Sequence, residues 1–467
     1  MTTRSEHDLL GDLDIPADAW YGVQTQRALN NFHITGVPIS HFPHFVVALA
    51  MVKAAAARAN RDLGLLPATK AEAILAACDE IIGGRLHEAF VVDLIQGGAG
   101  TSTNMNANEV IANLALEKLG QPKGAYQHLH PNDDVNMSQS TNDAYPTAVC
   151  VGLQFAAEPL IEAIASLKSA FEAKGREFAD VLKMGRTQLQ DAVPMTLGQE
   201  FEAFAVNLGE DIDRIREACA LLCEVNLGGT AIGTGINTHP DYARLAVRHL
   251  AEISGRPIVP AANLVEATSD MGAFVLFSGI LKRLAVKLSK IANDLRLLSS
   301  GPRTGFGEIH LPPMQPGSSI MPGKVNPVIP EAVNQVAYQV IGNDLAVTLA
   351  AEAGQLQLNA MEPLIVYNLL NSLKMLAGAC GMLEQRCVRG IRADREQCRR
   401  HLDRSIGVIT ALVPHIGYAN ASRIAAEALA SNSTVRELVI RDGLLSEARL
   451  DALLSPQSML APQAVVA

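Results

Sequence analysis

LKRLAVKLSKIANDLRLL is the stretch from residue 281 to residue 298. Its Leu281, Leu284, Leu288, Ile291, Leu295 and Leu298 follow one another at steps of 3, 4, 3, 4 and 3. An α-helix turns once in about 3.6 residues, so these side chains form one narrow stripe along a single face. Such a stripe is the seam of a long helix packed nearly parallel to others, as in a bundle. The same spacing occurs upstream in Leu160, Ile164, Leu167 and Phe171, at steps of 4, 3 and 4. Residues 330–354 predict a further long helix, opened by Pro330 at a first-turn position where the missing N–H is not needed. The Ala-rich residues 45–60 and residues 71–82 predict two more. No alternation of short apolar strands with helices is present, which disfavours a doubly wound sheet.

Working outward, residues 1 to about 40 carry turn residues and aromatics and predict a short hairpin with loops. After about residue 395 the chain becomes charged and predicts a small unit of short helices. The chain has 467 residues, of which 48% are hydrophobic and only 4% aromatic, a mixture that favours helices over a β-sandwich. Charged residues make up 18%, few for a fully solvated surface, so much of the surface is expected to be covered by other subunits. The net charge of −10 argues against a nucleic-acid binder, which needs a basic face. It leaves room for an anionic substrate, because a few local cations can dominate one cleft. Seven cysteines without a CxxC pair predict free thiols in a reducing cytoplasm. No apolar stretch reaches the ~20 residues of a membrane span.

Four polar stretches lie between the helical segments: QGGAGTSTNMN at 96–106, SQSTNDAYPT at 138–147, GRTQLQDAVPMT at 185–196 and GSSIMPGKVNP at 317–327. Taken singly, Ser, Thr and Asn before a helix are most often caps. Together they offer hydroxyls, amides and glycine-exposed N–H groups with few carboxylates. That set suits the binding of carboxylate groups rather than a metal. The fourth stretch has two prolines, two glycines, a Met321-Pro322 turn and a lysine, which predicts a mobile loop and not a helix. It is not a phosphate loop, since Val325 follows Lys324 where a Ser or Thr is required.

GSSIMPGKVNP resembles the signature of the aspartase/fumarase superfamily, and the resemblance extends from DLLGDLDIPADAWYGVQTQRALNNF through GGTAIGTGINTHP to LLSEARLDALL. It implies a mainly α, three-domain fold: an N-terminal domain over 1–139, a long central helical bundle over 140–395 and a small C-terminal helical domain over 396–467. It also implies a homotetramer with each active site shared by three subunits. Within the superfamily, Ser102, Gln188, Glu362 and VEATSDMGAF resemble the aspartase branch, which eliminates ammonia from L-aspartate to give fumarate. The segment His130-Pro131-Asn132-Asp133-Asp134 instead resembles a second carboxylate site of class II fumarases, which stands as the alternative.

The roles carried over are these. Ser318 is the general base, supported by Lys324 and loop N–H groups. Thr101, Ser140, Thr141 and Ser319 hold the β-carboxylate. Lys324 and Asn326 grip the α-carboxylate, while Asn142, Thr187 and Gln188 surround the amino group. No cofactor is implied for the chemistry, and Mg²⁺ activation is left open. His239 and His310 are expected to be structural or surface histidines. A purely structural protein, like the lens crystallin of this superfamily, would be expected to lose the chemical residues, yet Ser318, Lys324, Asn326 and Thr187 are all present.

Overall fold

The leucine stripe lies on a helix spanning Gly272–Leu298, and every member of the stripe is buried. A computed structural model describes residues 2–460 of the chain. Strands β1 (Thr3–Asp8) and β2 (Gly11–Pro16) form the expected hairpin. Helices α1 (Val23–Asn31), α2 (Pro43–Asp62), α3 (Ala68–Ile82) and α4 (Thr101–Lys118) follow. The 37-residue α5 (Thr141–Glu177) carries the upstream stripe. Strands β3 (Leu182–Thr187) and β4 (Gln190–Thr196) make a second hairpin, which leads into α6 (Leu197–Leu221). Three further long helices span Gly272–Leu298, Val328–Glu352 and Glu362–Arg386. Short helices follow from Arg395 onward, and residues 461–467 of the expected C-terminal domain lie outside the described residues. Among the described residues the named strands make only two-stranded pairs.

The chain divides into two compact units, each drawn from three segments. The first contains residues 1–162, 211–285 and 338–377. Its interior is built on α2 and α4, which are buried nearly all round, as helices without an amphipathic stripe must be. The N-terminus of α1 has no side-chain cap of its own. Glu109, on α4, supplies one, accepting from the backbone N–H groups of Gly22, Gln24 and Thr25 at 2.8, 2.8 and 3.1 Å. Burial pushes the Glu109 carboxyl up to about 7, against the pull of those donors.

The second unit contains residues 163–210, 286–337 and 378–467. Phe171, Phe178, Phe201 and Phe204 pack there edge to face or tilted, with ring centroids 5.2–5.9 Å apart. A second cluster, including Met184, Leu402, Leu412, Ile424 and Leu438, holds the C-terminal helices together. All seven cysteines are free thiols, as expected. Two helices, Thr141–Glu177 and Glu362–Gly390, are long and apolar enough to cross a bilayer, which corrects the reading that nothing approaches that length. Just over half of each apolar window, 56%, is buried within the protein, so the same hydrophobicity serves internal packing.

Candidate active site

In the first unit the N-terminal ends of α4 and α5 meet. Gly100, just before α4, has φ +87°, and a Cβ there would fall 2.6 Å from the ring of Tyr145 on α5. Only glycine allows that approach. Asn104, in the first turns of α4, donates from Nδ2 to Thr141 Oγ1 at 3.2 Å. Two helix N-termini side by side bring together the positive ends of two helix dipoles, which suits a carboxylate.

The four sequence-predicted residues of this unit are Thr101, Ser140, Thr141 and Asn142. Thr101 donates its hydroxyl to Gly98 O at 2.7 Å and must rotate to reach a ligand. Ser140 and Asp143 cap α5 reciprocally. Ser140 Oγ accepts from Asn142 N at 3.3 Å, and Asp143 Oδ1 accepts from Ser140 N at 2.7 Å. Asn142 gives one Nδ2 proton to Ala231 O at 2.7 Å, and its Oδ1 and second Nδ2 proton remain to offer a ligand. Asn226 braces this turn by donating to Asn142 O at 2.9 Å. Asp143 is fully buried, and burial pushes its carboxyl up to about 6 although Gly228 N–H, Ser140 N–H and Lys53 oppose the rise. Lys53 is also wholly buried, and burial draws its ammonium down to about 7.

The second unit holds the remaining candidates on two supports. Thr187 and Gln188 stand exposed at the end of the β3–β4 hairpin. Gln188 and Leu189 form its turn with φ +54° and +61°, a left-handed conformation that neither residue type favours. The base of this hairpin is fixed by buried charge. Glu308 has no exposed side-chain surface; its Oε1 lies 2.7 Å from Arg186 and 2.9 Å from His401 Nδ1, and its Oε2 lies 3.0 Å from Lys183. Burial alone would raise the Glu308 pKa, but Arg186, Lys183 and His401 outweigh it and hold the carboxyl below its ordinary value.

Ser318, Ser319, Lys324 and Asn326 share the irregular stretch before the helix Val328–Glu352. Gly317 N donates to Lys324 O at 2.8 Å, and Asn326 Nδ2 donates to Gly317 O at 2.8 Å, so the two ends are clasped. Asn326 is therefore the clasp in this conformation, and gripping a carboxylate would require exchanging that bond. Ser318 Oγ accepts from the backbone N–H groups of Ile320 and Met321 at 3.2 and 3.1 Å. These donors favour negative charge on the serine oxygen. Ile320, Met321 and Val325 are exposed, Ile320 to 84%. A Cβ on Gly317 would lie 2.7 Å from Lys324 O. Gly317→Ala is expected to open the clasp and lower kcat on the order of 10²-fold through misplacement. Thermal unfolding should change little, so comparing kcat with the melting midpoint checks this.

The histidines behave as expected. His310 Nε2 pairs with Asp394 at 3.0 Å, and His239 Nδ1 accepts from Asp241 N at 3.1 Å. In the segment that resembles a fumarase carboxylate site, His130 Nδ1 accepts from Asn132 N and Asp133 N, while Asp134 pairs with Lys70 at 2.7 Å. Sequence reasoning missed Lys53, Asn104, Asp143 and Asn226. Asn104 lies inside the quoted stretch 96–106, and a lone lysine in the apolar run ALAMVKAAAA at 48–57 was a readable sign of a buried charge.

Comparison with known proteins identifies the family. Residues 11–342 match the family model described as Lyase, and residues 408–461 match the one described as Fumarase C C-terminus. An aspartate ammonia-lyase of Pseudomonas aeruginosa is 66% identical over 99% of this chain and 98% of its own length. One from Helicobacter pylori is 55% identical over 99% and 98%. The crystal structure titled as a fumarate lyase:delta crystallin from Brucella melitensis bound to cobalt has a TM-score of 0.96 at 63% identity, covering 99% of this chain and 100% of that one. A recombinant class II fumarase from Schistosoma mansoni has a TM-score of 0.92 at 34% identity, covering 98% and 99%. The helical fold, the clasped serine loop and these full-length similarities together make the chain a member of the aspartase/fumarase superfamily of lyases.

Proposed function

We propose that the protein is an aspartate ammonia-lyase, which reversibly eliminates ammonia from L-aspartate to give fumarate. The proton that must leave sits on the carbon beside the β-carboxylate and is very weakly acidic. Its removal is tolerable only if the charge moves onto the carboxylate oxygens as an aci-carboxylate, toward donors already in place. The observation that carries the reading is Ser318, whose oxygen already accepts two backbone N–H groups, as a serine base must to exist as an alkoxide.

In this mechanism Ser318 takes the proton. The hydroxyls of Thr101, Ser140, Thr141 and Ser319 receive the β-carboxylate, and Lys324 with the Asn326 region holds the α-carboxylate. Asn142 and Thr187, with Gln188, face the amino group. Asn142 supports this because its free Oδ1 is an acceptor, which suits an ammonium better than a carboxylate. The C–N bond then breaks, and the leaving amine is already protonated. Relatives at 55–66% identity carry the aspartate ammonia-lyase name, whereas the fumarase stands at 34%.

We further propose a homotetramer whose sites combine residues of three subunits. Tyr338, Ile341, Leu345 and Leu349 support it: they form an exposed apolar stripe at steps of 3, 4 and 4 on the helix Val328–Glu352. The seven free thiols suit a reducing compartment. The test is to supply L-aspartate and then L-malate and follow fumarate absorbance, with and without Mg²⁺. A faster signal from aspartate is expected. A faster signal from malate would replace the reading with a class II fumarase, and no rise with either would reject both.

A further inference from the structure

The buried Lys53 on α2 has its Nζ bonded to three side-chain oxygens: Asn104 Oδ1 at 2.6 Å, Asn136 Oδ1 at 2.9 Å and Gln139 Oε1 at 2.9 Å. In its protonated form, the form that three oxygen acceptors stabilise, the amine has three protons and no lone pair, so all three bonds run in one direction. Each amide must turn its oxygen toward the lysine and its nitrogen away. Gln139 Nε2 is then spent on Val135 O and Met137 O, and Asn136 Nδ2 on Gln139 O. Asn104 carries the direction onward, since its Nδ2 donates to Asn136 Oδ1 and to Thr141 Oγ1, both at 3.2 Å. The Thr141 oxygen has thus received a hydrogen bond. Among the described residues no acceptor takes the Thr141 proton in return, and the residue is only half-buried at the start of α5.

We infer that Lys53 is a positioning residue that sets the direction of the hydrogen bonds behind the substrate, so that Thr141 presents a proton and not a lone pair to the β-carboxylate. This rests on the assignment of Thr141 to that carboxylate. A hydroxyl in either orientation satisfies the protein equally well, but only one orientation attracts an anion. The distinction grows as the carboxylate gains charge in the transition state. Without the lysine, Asn104 is free to flip and draw the Thr141 proton back into the protein.

The test replaces Asn104 by aspartate. Asn104→Asp keeps an oxygen on Lys53, so the buried charge keeps its partner, but it has no proton to give Thr141. The Thr141 hydroxyl is then drawn to the new carboxylate. The expected result is a kcat lower by about 10²-fold, weaker inhibition by succinate and a melting midpoint near that of the wild type. Thr141→Val should show a similar loss. The double variant should lose no more than Thr141→Val alone, because the same proton is removed twice. Near-normal turnover in Asn104→Asp, or losses that multiply in the double variant, would overturn the inference while leaving the Thr141 assignment intact. If Thr141→Val itself left turnover and succinate binding unchanged, the carboxylate assignment would fall instead. Should Asn104→Asp not fold, Lys53→Met provides the same comparison: loss of turnover with no further loss on adding Thr141→Val supports the inference, and multiplying losses overturn it.

Discussion

Ser318→Ala is expected to lower kcat by about 10²–10⁴-fold, the range for losing a positioned base. The hydroxyl is attached to an irregular loop, and the bonds it makes are those accepted from Ile320 N and Met321 N. Its removal therefore leaves no buried group without a partner. The melting midpoint should move little, as for other substitutions away from the core. Binding of succinate should also persist, because the groups assigned to its carboxylates, Thr101, Ser140, Thr141, Ser319 and Lys324, are all retained. Steady-state turnover, a binding titration and a thermal melt on the same preparation separate these effects. Turnover within tenfold of the wild type would remove Ser318 from the base role.

The second large effect concerns stability. Glu308→Gln keeps the shape of the side chain but removes the charge shared by Lys183, Arg186 and His401. Lys183 is itself almost wholly buried and would keep only Glu200, at 2.7 Å, so the loss leaves the interior cations with less counter-charge. Breaking a buried pair in this way costs about 3–5 kcal/mol. The denaturant midpoint should fall accordingly near neutral pH. Because the folded Glu308 carboxyl lies below its ordinary value, its contribution is full above the unfolded carboxylate pKa of about 4.3 and fades as pH falls through the lower folded value. The gap between wild type and variant should therefore be constant from pH 8 to about 5 and narrow under more acid conditions. A gap independent of pH would show that packing, not charge, is what the substitution disturbs. Thr187 follows Arg186 directly, so the same variant should also slow turnover.

The long helices were legible because their seams repeat over many turns. The stripe from Leu281 to Leu298 predicted a helix, and the helix extends upstream to Gly272. The four polar stretches were also visible, but their structures were not. Thr101 and Thr141 were placed in inter-helix stretches, and each is in fact the first residue of a helix. The cause is that Gly100 and the Ser140–Asp143 pair act as caps, and capping residues look like loop residues until the following turn is known. The β3–β4 hairpin was hidden for a different reason. Its turn uses Gln188 and Leu189 where the sequence rule expects glycine or asparagine. Glu109 and Asp143 were illegible, because each buried carboxylate is met by a backbone N–H group 87 or 85 residues away in the chain.

That hairpin turn has a practical consequence. Two non-glycine residues held at positive φ cost on the order of 1–3 kcal/mol each, more than many helix caps are worth. An engineer seeking heat tolerance would therefore be drawn to install Asn-Gly at 188 and 189, where relaxation comes most easily. The first of them, Gln188, is also proposed to face the substrate beside Thr187, so the most accessible route to a hardier catalyst runs through the place where rigidity and turnover compete.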